Sequence, residues 1–414
     1  MFAKSMRVLV SAVFASSISI VSGLAASAAT PNVWPNDYSK ANSDEWLVRN
    51  HDKIHVMKPN VLVLNFANGY SADDVKKCAT QLADSFREAS KFHGYKQSSD
   101  PFLDYQIYKI VDFADDHKSK SGLGGDSAKY PRRPENGAFS YPRLFSNEFV
   151  GQYDVRDPRT GAQLALGEMV KQGLVHEVWI ITSGDEAHPP AESAESKQAY
   201  DDNFNKLSGK FVRSGNGGDD KSPNIGRSLR FISVNITKGP GCAMESFGHG
   251  IEGLANSNAI PYFKKYFDEY ADFDLTSRYK LPFNTFYMRR GASLNYPDPT
   301  TLDTVYEGKR IVVHGYVPRG NSVHFTINSR KDMDMDNTQP VMSTIEHFRQ
   351  HDGLRGSDKS ELWTPAVIQR YKGTASDCMG PWLTYWMQNF PGADNKSFDD
   401  DGRHMKNWWP FLFY

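Results

Sequence analysis

The stretch LRFISVNITKGPGCAMESFGHGIEGLANS, residues 229–257, changes its period in the middle. LRFISVNI (229–236) is an apolar, β-branched run of strand length, and the breakers of KGPG end it. From Pro240 the apolar positions fall at helical spacing, with Phe247, Ile251 and Leu254 on one side. At about 100° per residue, Glu245, His249 and Glu252 share the opposite stripe. A strand feeding directly into a helix is half of a βαβ unit, and it points to a parallel sheet. The polar stripe has two readings at this stage. It is either the solvated side of an ordinary helix or a face that collects a metal ion.

The segments upstream follow the same rhythm. VLVLNF (61–66), YQIYKIV (105–111) and LVHEVWIIT (174–182) read as strands. Ser71, with Asp73 and Asp74 in the next turn, starts a helical period that lasts to about Phe92, and a second helix covers about Leu164–Gln172. Strands alternating with helices predict an α/β fold over residues 30–275, a doubly wound, mostly parallel sheet with helices on both faces. Residues 114–160 show no period and read as a long loop. SGDEAHPPAESAESKQAYDDN (183–203) reads as a polar excursion between strands. From about residue 276 the pattern changes. RIVVHGYV (310–317) and SVHFTIN (322–328) look like strands and PWLTYWMQNF (381–390) like a helix. Residues 276–414 are therefore expected to form an α+β extension, packed on the first domain or folded as a small second one.

The N-terminus has the layout of a secretory signal peptide, with Lys4 and Arg7, an apolar Ser-rich run, and AASAA as the cleavage site near Ala28 or Ala29. Removing residues 1–29 takes the formal charge from −1 to −3, and so near-neutral a chain lacks the basic excess of a nucleic-acid binder. The expectation is a secreted or periplasmic protein with no membrane span and no nucleic-acid partner. Aromatic residues make up 13% of the chain, which suits a sugar or peptide ligand but also fills cores. Of three cysteines, Cys242 and Cys378 are the preferred disulfide pair, because Cys78 lies in a predicted amphipathic helix; three buried thiols are the other reading.

A helix that begins at the end of a parallel strand lies where open α/β sheets bind ligands. Other predicted strand ends carry similar chemistry: Asn65 and Asn68, Asp112, then Asp185, Glu186, His188 and Glu192. His249 and Glu252 form the first half of an H-x-x-E-H pattern, but Gly253 stands where the second His belongs. A further ligand must come from elsewhere, for instance His188, His314 or His324.

Taken together, VHEVWIIT with AES after it, CAMESFGHGIE, SVHFTINSRKDMDMDN and the terminal KNWWPFL occur in that order. Over about residues 55–414 the chain resembles a family of exported, largely bacterial proteins with no assigned reaction, marked by E-S-F-G-H-x-x-E, V-H-F-x-x-N and N-W-W motifs. The resemblance implies roles for Glu192, Glu245, His249, Glu252, His324, Asn328, Trp408 and Trp409. The chain departs from the pattern at His176, where an acid is usual, and at Met333 and Met335, where aromatic residues are usual.

KDMDMDN (331–337) is not an EF-hand, since Asn337 holds the glycine position and Ser343 the position of the bidentate Glu. It reads as a solvated strand face, or as an incidental calcium site. In an extended SVHFTINSR, His324 and Asn328 share one face. Trp408 and Trp409 either stack on sugar rings or dock the tail on the body. No G-x-S-x-G elbow and no phosphate-binding loop is present. Two functions are thus carried forward. One is an exported metal-dependent hydrolase of peptide or glycan, with zinc as the natural ion, Glu245, His249 and Glu252 as ligands or catalytic groups, and Glu192 beside them. In it His324, Asn328, Trp408 and Trp409 contact substrate. The other is a non-catalytic extracellular carbohydrate- or peptide-binding protein. A Glu–His acid/base pair without metal is a third use of the same residues.

Overall fold

The computed structural model describes residues 32–37, 43–96, 98–117, 126–216, 222–289, 293–351 and 357–414. The expected signal peptide lies outside them. Six strands form the central sheet: β1 (Asn60–Asn65), β2 (Gln106–Asp112), β3 (Glu177–Thr182), β4 (Ser193–Tyr200), β5 (Lys206–Ser214) and β6 (Leu229–Asn235). Their order in space is β2-β1-β3-β6-β4-β5. The first four of that row are parallel, while β4 runs antiparallel to both β6 and β5. The fold is α/β with a mostly parallel sheet, as the alternation predicts.

The strands β1 and β3 are buried almost throughout, which is why they read as unbroken apolar runs. Their side chains alternate between two cores. Val61, Val63, Trp179 and Ile181 join one cluster, and Leu62, Leu64, Val178 and Ile180 join the other. Helix α1 (Ala72–Ala89) meets the first cluster through Val75, Ala79, Leu82 and Phe86, and Ser71 with Asp74 closes its start in a capping box. Short helices α2 (Asn147–Tyr153) and α3 (Leu166–Lys171) supply Phe149, Tyr153, Met169 and Val170 to the second. Helices α4 (Pro240–Ser257), α5 (Pro261–Tyr270) and α6 (Gly380–Gln388) complete the first, which runs from Trp34 to Tyr414.

Several expectations fail: the 114–160 loop holds α2, and others fail for a clear physical reason. The polar excursion contains β4, and β5 follows directly after it. SAESKQAY has no apolar alternation, yet all of β4 except Ser196 is buried, because its polar groups are paired inside. Lys197 Nζ donates to the carbonyl of Phe411 at 2.6 Å, and the Gln198 amide donates to the carbonyls of Leu207 and Lys210. Conversely, SVHFTIN is not a strand. Phe325 N–H donates to Ser322 O, Ser329 N–H to Thr326 O and Thr326 N–H to Ser329 Oγ. Ser, Thr and Asn side chains thus turn the backbone on itself and displace a ladder. The Asp332–Asp336 run is irregular as well. RIVVHGYV is a strand only over Lys309–His314, the outer strand of a small antiparallel sheet with Leu294–Asp298 and Thr301–Tyr306.

Cys242 and Cys378 form a disulfide with Cα atoms 5.1 Å apart. Cys78 is free, and burial pushes its thiol up to about 11, so it is a poor nucleophile. Among the described residues no helix is long and apolar enough to cross a membrane.

His176 precedes β3 and is 7% exposed. Its Nδ1 accepts from the Asn60 N–H at 2.9 Å, and its ring meets Trp34 edge-on at 4.4 Å. Burial, with Arg227 acting in the same direction, pushes the imidazole down to about 3. The unfolded chain therefore takes up this proton near pH 6.5 while the folded chain refuses it. The contribution to stability is complete above pH 6.5 and is lost as pH falls toward 3. Relative to His176→Gln, the parent should lose on the order of 3 kcal/mol between pH 7 and pH 4, measured by denaturant melts. A pH-independent difference would refute the assignment.

Candidate metal centre

Helix α4 is not a surface helix. Nearly every residue from Ala243 to Ala255 is buried, and the stripe residues Glu245, His249 and Glu252 are only 7%, 8% and 5% exposed. A charged stripe that is buried needs partners, so the solvated reading fails on burial alone. Its start is fixed by Asp377, whose carboxylate accepts from the N–H groups of Gly241 and Cys242 at 2.9 and 3.2 Å, beside the disulfide. Two glycines then set what lies against the helix. A Cβ on Gly248 would stand 2.8 Å from the Val323 side chain, so its absence lets the 322–324 turn settle on the helix and brings His324 over the stripe. A Cβ on Gly253 would stand 2.5 Å from Gly215 N, so the end of β5 crosses here. That crossing explains why the second His of H-x-x-E-H is missing.

Glu245, His249 and His324 converge. Their donor atoms lie within 4.8 Å of one another. His249 Nε2 is 3.0 Å from His324 Nε2, and His324 Nε2 is 3.0 Å from Glu245 Oε1. Donor atoms around a tetrahedral zinc at about 2.0–2.1 Å are separated by roughly 3.3 Å, which is close to these values. The other nitrogen of each imidazole is engaged by a carboxylate. His249 Nδ1 donates to Glu252 Oε2 at 3.0 Å, and His324 Nδ1 donates to Asp332 Oδ1 at 2.9 Å. Carboxylates accept only, so Nδ1 carries a proton on both rings, and His324 Nε2, 3.0 Å from Glu245 Oε1 and from His249 Nε2, either carries a second proton or shares a cation with them. Three electron-rich atoms facing one another demand a cation between them, either a metal ion or a second proton on one imidazole. Carboxylate–histidine pairs of this kind are the usual outer support of a metal-binding imidazole.

Electrostatics lean the same way. Burial opposes charge on His249, but the hydrogen bond to Glu252 and the negative charges of Glu252, Glu192 and Glu245 outweigh it and raise the imidazole above its ordinary value. Glu252 is in turn held by the Tyr287 hydroxyl, which donates to its two oxygens at 2.8 and 2.9 Å, and by Val323 N–H at 3.1 Å. Burial and the neighbouring Glu252 push the Tyr287 phenol well above its usual value, so it stays a donor. Glu192 sits just before β4 with its side chain 48% exposed, Oε2 3.9 Å from His249 Nε2, hydrogen-bonded by Asn216. It stands outside the converging group.

The other candidates go elsewhere. Of the three further histidines, only His324 arrives; His314 Nδ1 is 3.2 Å from the Thr301 hydroxyl on the small sheet. Asn328 turns away from His324 and donates to the carbonyls of Asn337 and Gln339, so the shared face expected of an extended run does not exist. Trp408 and Trp409, 1% and 2% exposed, pack on rings such as Phe263, Phe267 and Phe390, and offer no face to a sugar. At the sheet end, Asn65 donates to Asp112, and Glu186 accepts from Ser183 and Gly184, so both serve their own loops. Asp334 is likewise spent on Arg330. Tyr287 and the supporting role of Asp332 were invisible in sequence, since neither belongs to a periodic pattern with the helix. Comparison with protein-family models, curated proteins and solved structures finds no match to this chain.

Proposed function

We propose that the chain is an exported metal-dependent hydrolase of peptide or glycan substrates, with Glu245, His249 and His324 as the three protein ligands of one divalent ion. The observation that carries this is the convergence of two imidazole Nε2 atoms and a carboxylate oxygen in a buried, carboxylate-backed cluster. Two histidines and one carboxylate, with a position left open, form a ligand set of catalytic zinc, and zinc is the ion we assign. When bound, the ion supplies Lewis acidity that makes a water nucleophilic near neutral pH. Glu192, 3.9 Å from His249 and half-exposed, would serve as the general base and then as the general acid toward the leaving group. Glu252 and Asp332 hold the imidazoles, and Tyr287 holds Glu252. In this reading Glu252 moves from ligand to support, and His324 from substrate contact to ligand. The disulfide and the N-terminal Lys4–Arg7 segment support export to an oxidising compartment. We also take the sheet, whose order grows outward from β1 on both sides, as doubly wound with helices on both faces.

A screen of peptide and glycan substrates tests this, with zinc added and then withdrawn by chelator. Turnover should be chelator-sensitive, and Glu192→Gln should keep the metal while losing turnover by about 10²–10⁴-fold. The raised His249 proton affinity favours a second reading, a metal-free His–Glu acid/base pair. Turnover that survives chelation would select it over the metal reading.

A further inference from the structure

We propose that a second site, separate from the metal cluster, binds a small ligand carrying two or more anionic groups, carboxylate or phosphate. The site is a cavity of about 490 Å3 between the end of α1, residues 91–96 with Ser98, the Pro365–Gly373 3-10 turn and the end of α6. That volume falls in the range of small-molecule sites. It shares no residue with the Glu245–His249–His324 group.

The floor is rigid and polar. The Tyr371 hydroxyl donates to Gln388 Oε1, and the Gln388 amide donates to the carbonyl of Glu88 at 2.9 Å, so these buried groups are fixed before any ligand arrives. The rim is cationic. Lys91, Lys96 and Arg370 line the cavity against the single carboxylate of Glu88, in a chain whose formal charge is −1. Lys91 pairs with Glu88 at 2.5 Å, and Lys96 pairs with Glu361 of the adjoining smaller cavity. Arg370 has no carboxylate partner among the described residues. Its guanidinium instead lies over the Tyr371 ring at 4.8 Å, which holds the planar fork at the mouth. A guanidinium supported by a tyrosine and free of a carboxylate partner is the group best shaped to take a carboxylate or phosphate by two parallel hydrogen bonds. The two lysines, each paired with its own carboxylate, add point charges at the rim that a second anionic group would share.

Calorimetric titration of the full chain at low ionic strength, with inorganic phosphate and with citrate in separate runs, tests the site. Saturable binding of at least one is expected, weakened by added salt. Arg370→Ala should raise the Kd about tenfold, and Arg370→Lys should recover only part of the loss because the fork is gone. Arg370 is exposed, so these variants should fold as the parent does. The two runs separate phosphate from carboxylate ligands. Absence of saturable heat with both anions, or binding undiminished in Arg370→Ala, would overturn the proposal.

Discussion

Replacing His324 by Ala should abolish stoichiometric zinc binding, and replacing His249 by Ala should do the same, with the apo proteins still folded. Each substitution removes one of three ligand atoms from a cluster whose geometry nothing else can rebuild, since the remaining helix positions point into the core. The more telling variant is Tyr287→Phe. It keeps the ring that packs 5.5 Å from the His324 ring and deletes only the hydroxyl, which fixes Glu252 and also bonds Ser322 and the His324 backbone. Loss of such outer support costs about 10–100-fold in metal affinity. Affinity is read by chelator competition, and folding by thermal melts of the apo proteins. Unchanged affinity in Tyr287→Phe with loss in both histidine variants would mean that the relay through Glu252 is idle. Full retention of zinc in His324→Ala would sink the centre itself.

The parent strands and the α4 helix were legible because their apolar positions obey one period, and burial on two faces writes itself as an unbroken run. The stripe of Glu245, His249 and Glu252 was legible for the same reason, but its meaning was not. Spacing puts three polar groups on a line and cannot say whether water or protein covers them. The answer came from Gly248 and Val323, a contact between segments about 75 residues apart whose only sequence trace is a small residue in a helix. His324 was found through the motif around it, while the extended conformation assumed for that motif was wrong. Its Ser, Thr and Asn residues bond their own backbone, and a hydropathy pattern cannot register that. The same blindness hid β4. A strand made of SAESKQAY is stable only because Arg230 of β6 meets Glu195 and the Phe411 carbonyl of the C-terminal segment meets Lys197, and neither partner is local.

That buried network gives the largest stability effect to expect. Arg230, on β6 and 2% exposed, reaches Glu195 at 3.3 Å, Glu177 at 3.7 Å and the carbonyl of Leu412 at 3.0 Å. Burial raises the Glu177 carboxyl, and Arg230 is the main force holding it down. Arg230→Met removes the cation and leaves two interior carboxylates with weaker partners: Trp179 and Tyr105 for Glu177, Lys197 for Glu195. Breaking a buried pair from one side costs about 3–5 kcal/mol. The sign of the pH dependence follows. A carboxyl whose folded pKa is raised favours the folded state at low pH and penalises it as pH rises through that value. The variant should therefore lose less stability at pH 5 than at pH 8. Adding Glu177→Gln and Glu195→Gln should restore most of the loss, because the penalty lies in the unpaired charges and not in the missing arginine. Arg230 also lies 5.2 Å from the Phe247 ring on α4, between Glu245 and His249 in sequence. Measuring zinc affinity in the triple variant then separates the two roles of the helix. Restored stability with parental affinity would show that the sheet network sets stability alone, whereas restored stability with weakened affinity would show that Arg230 also positions α4.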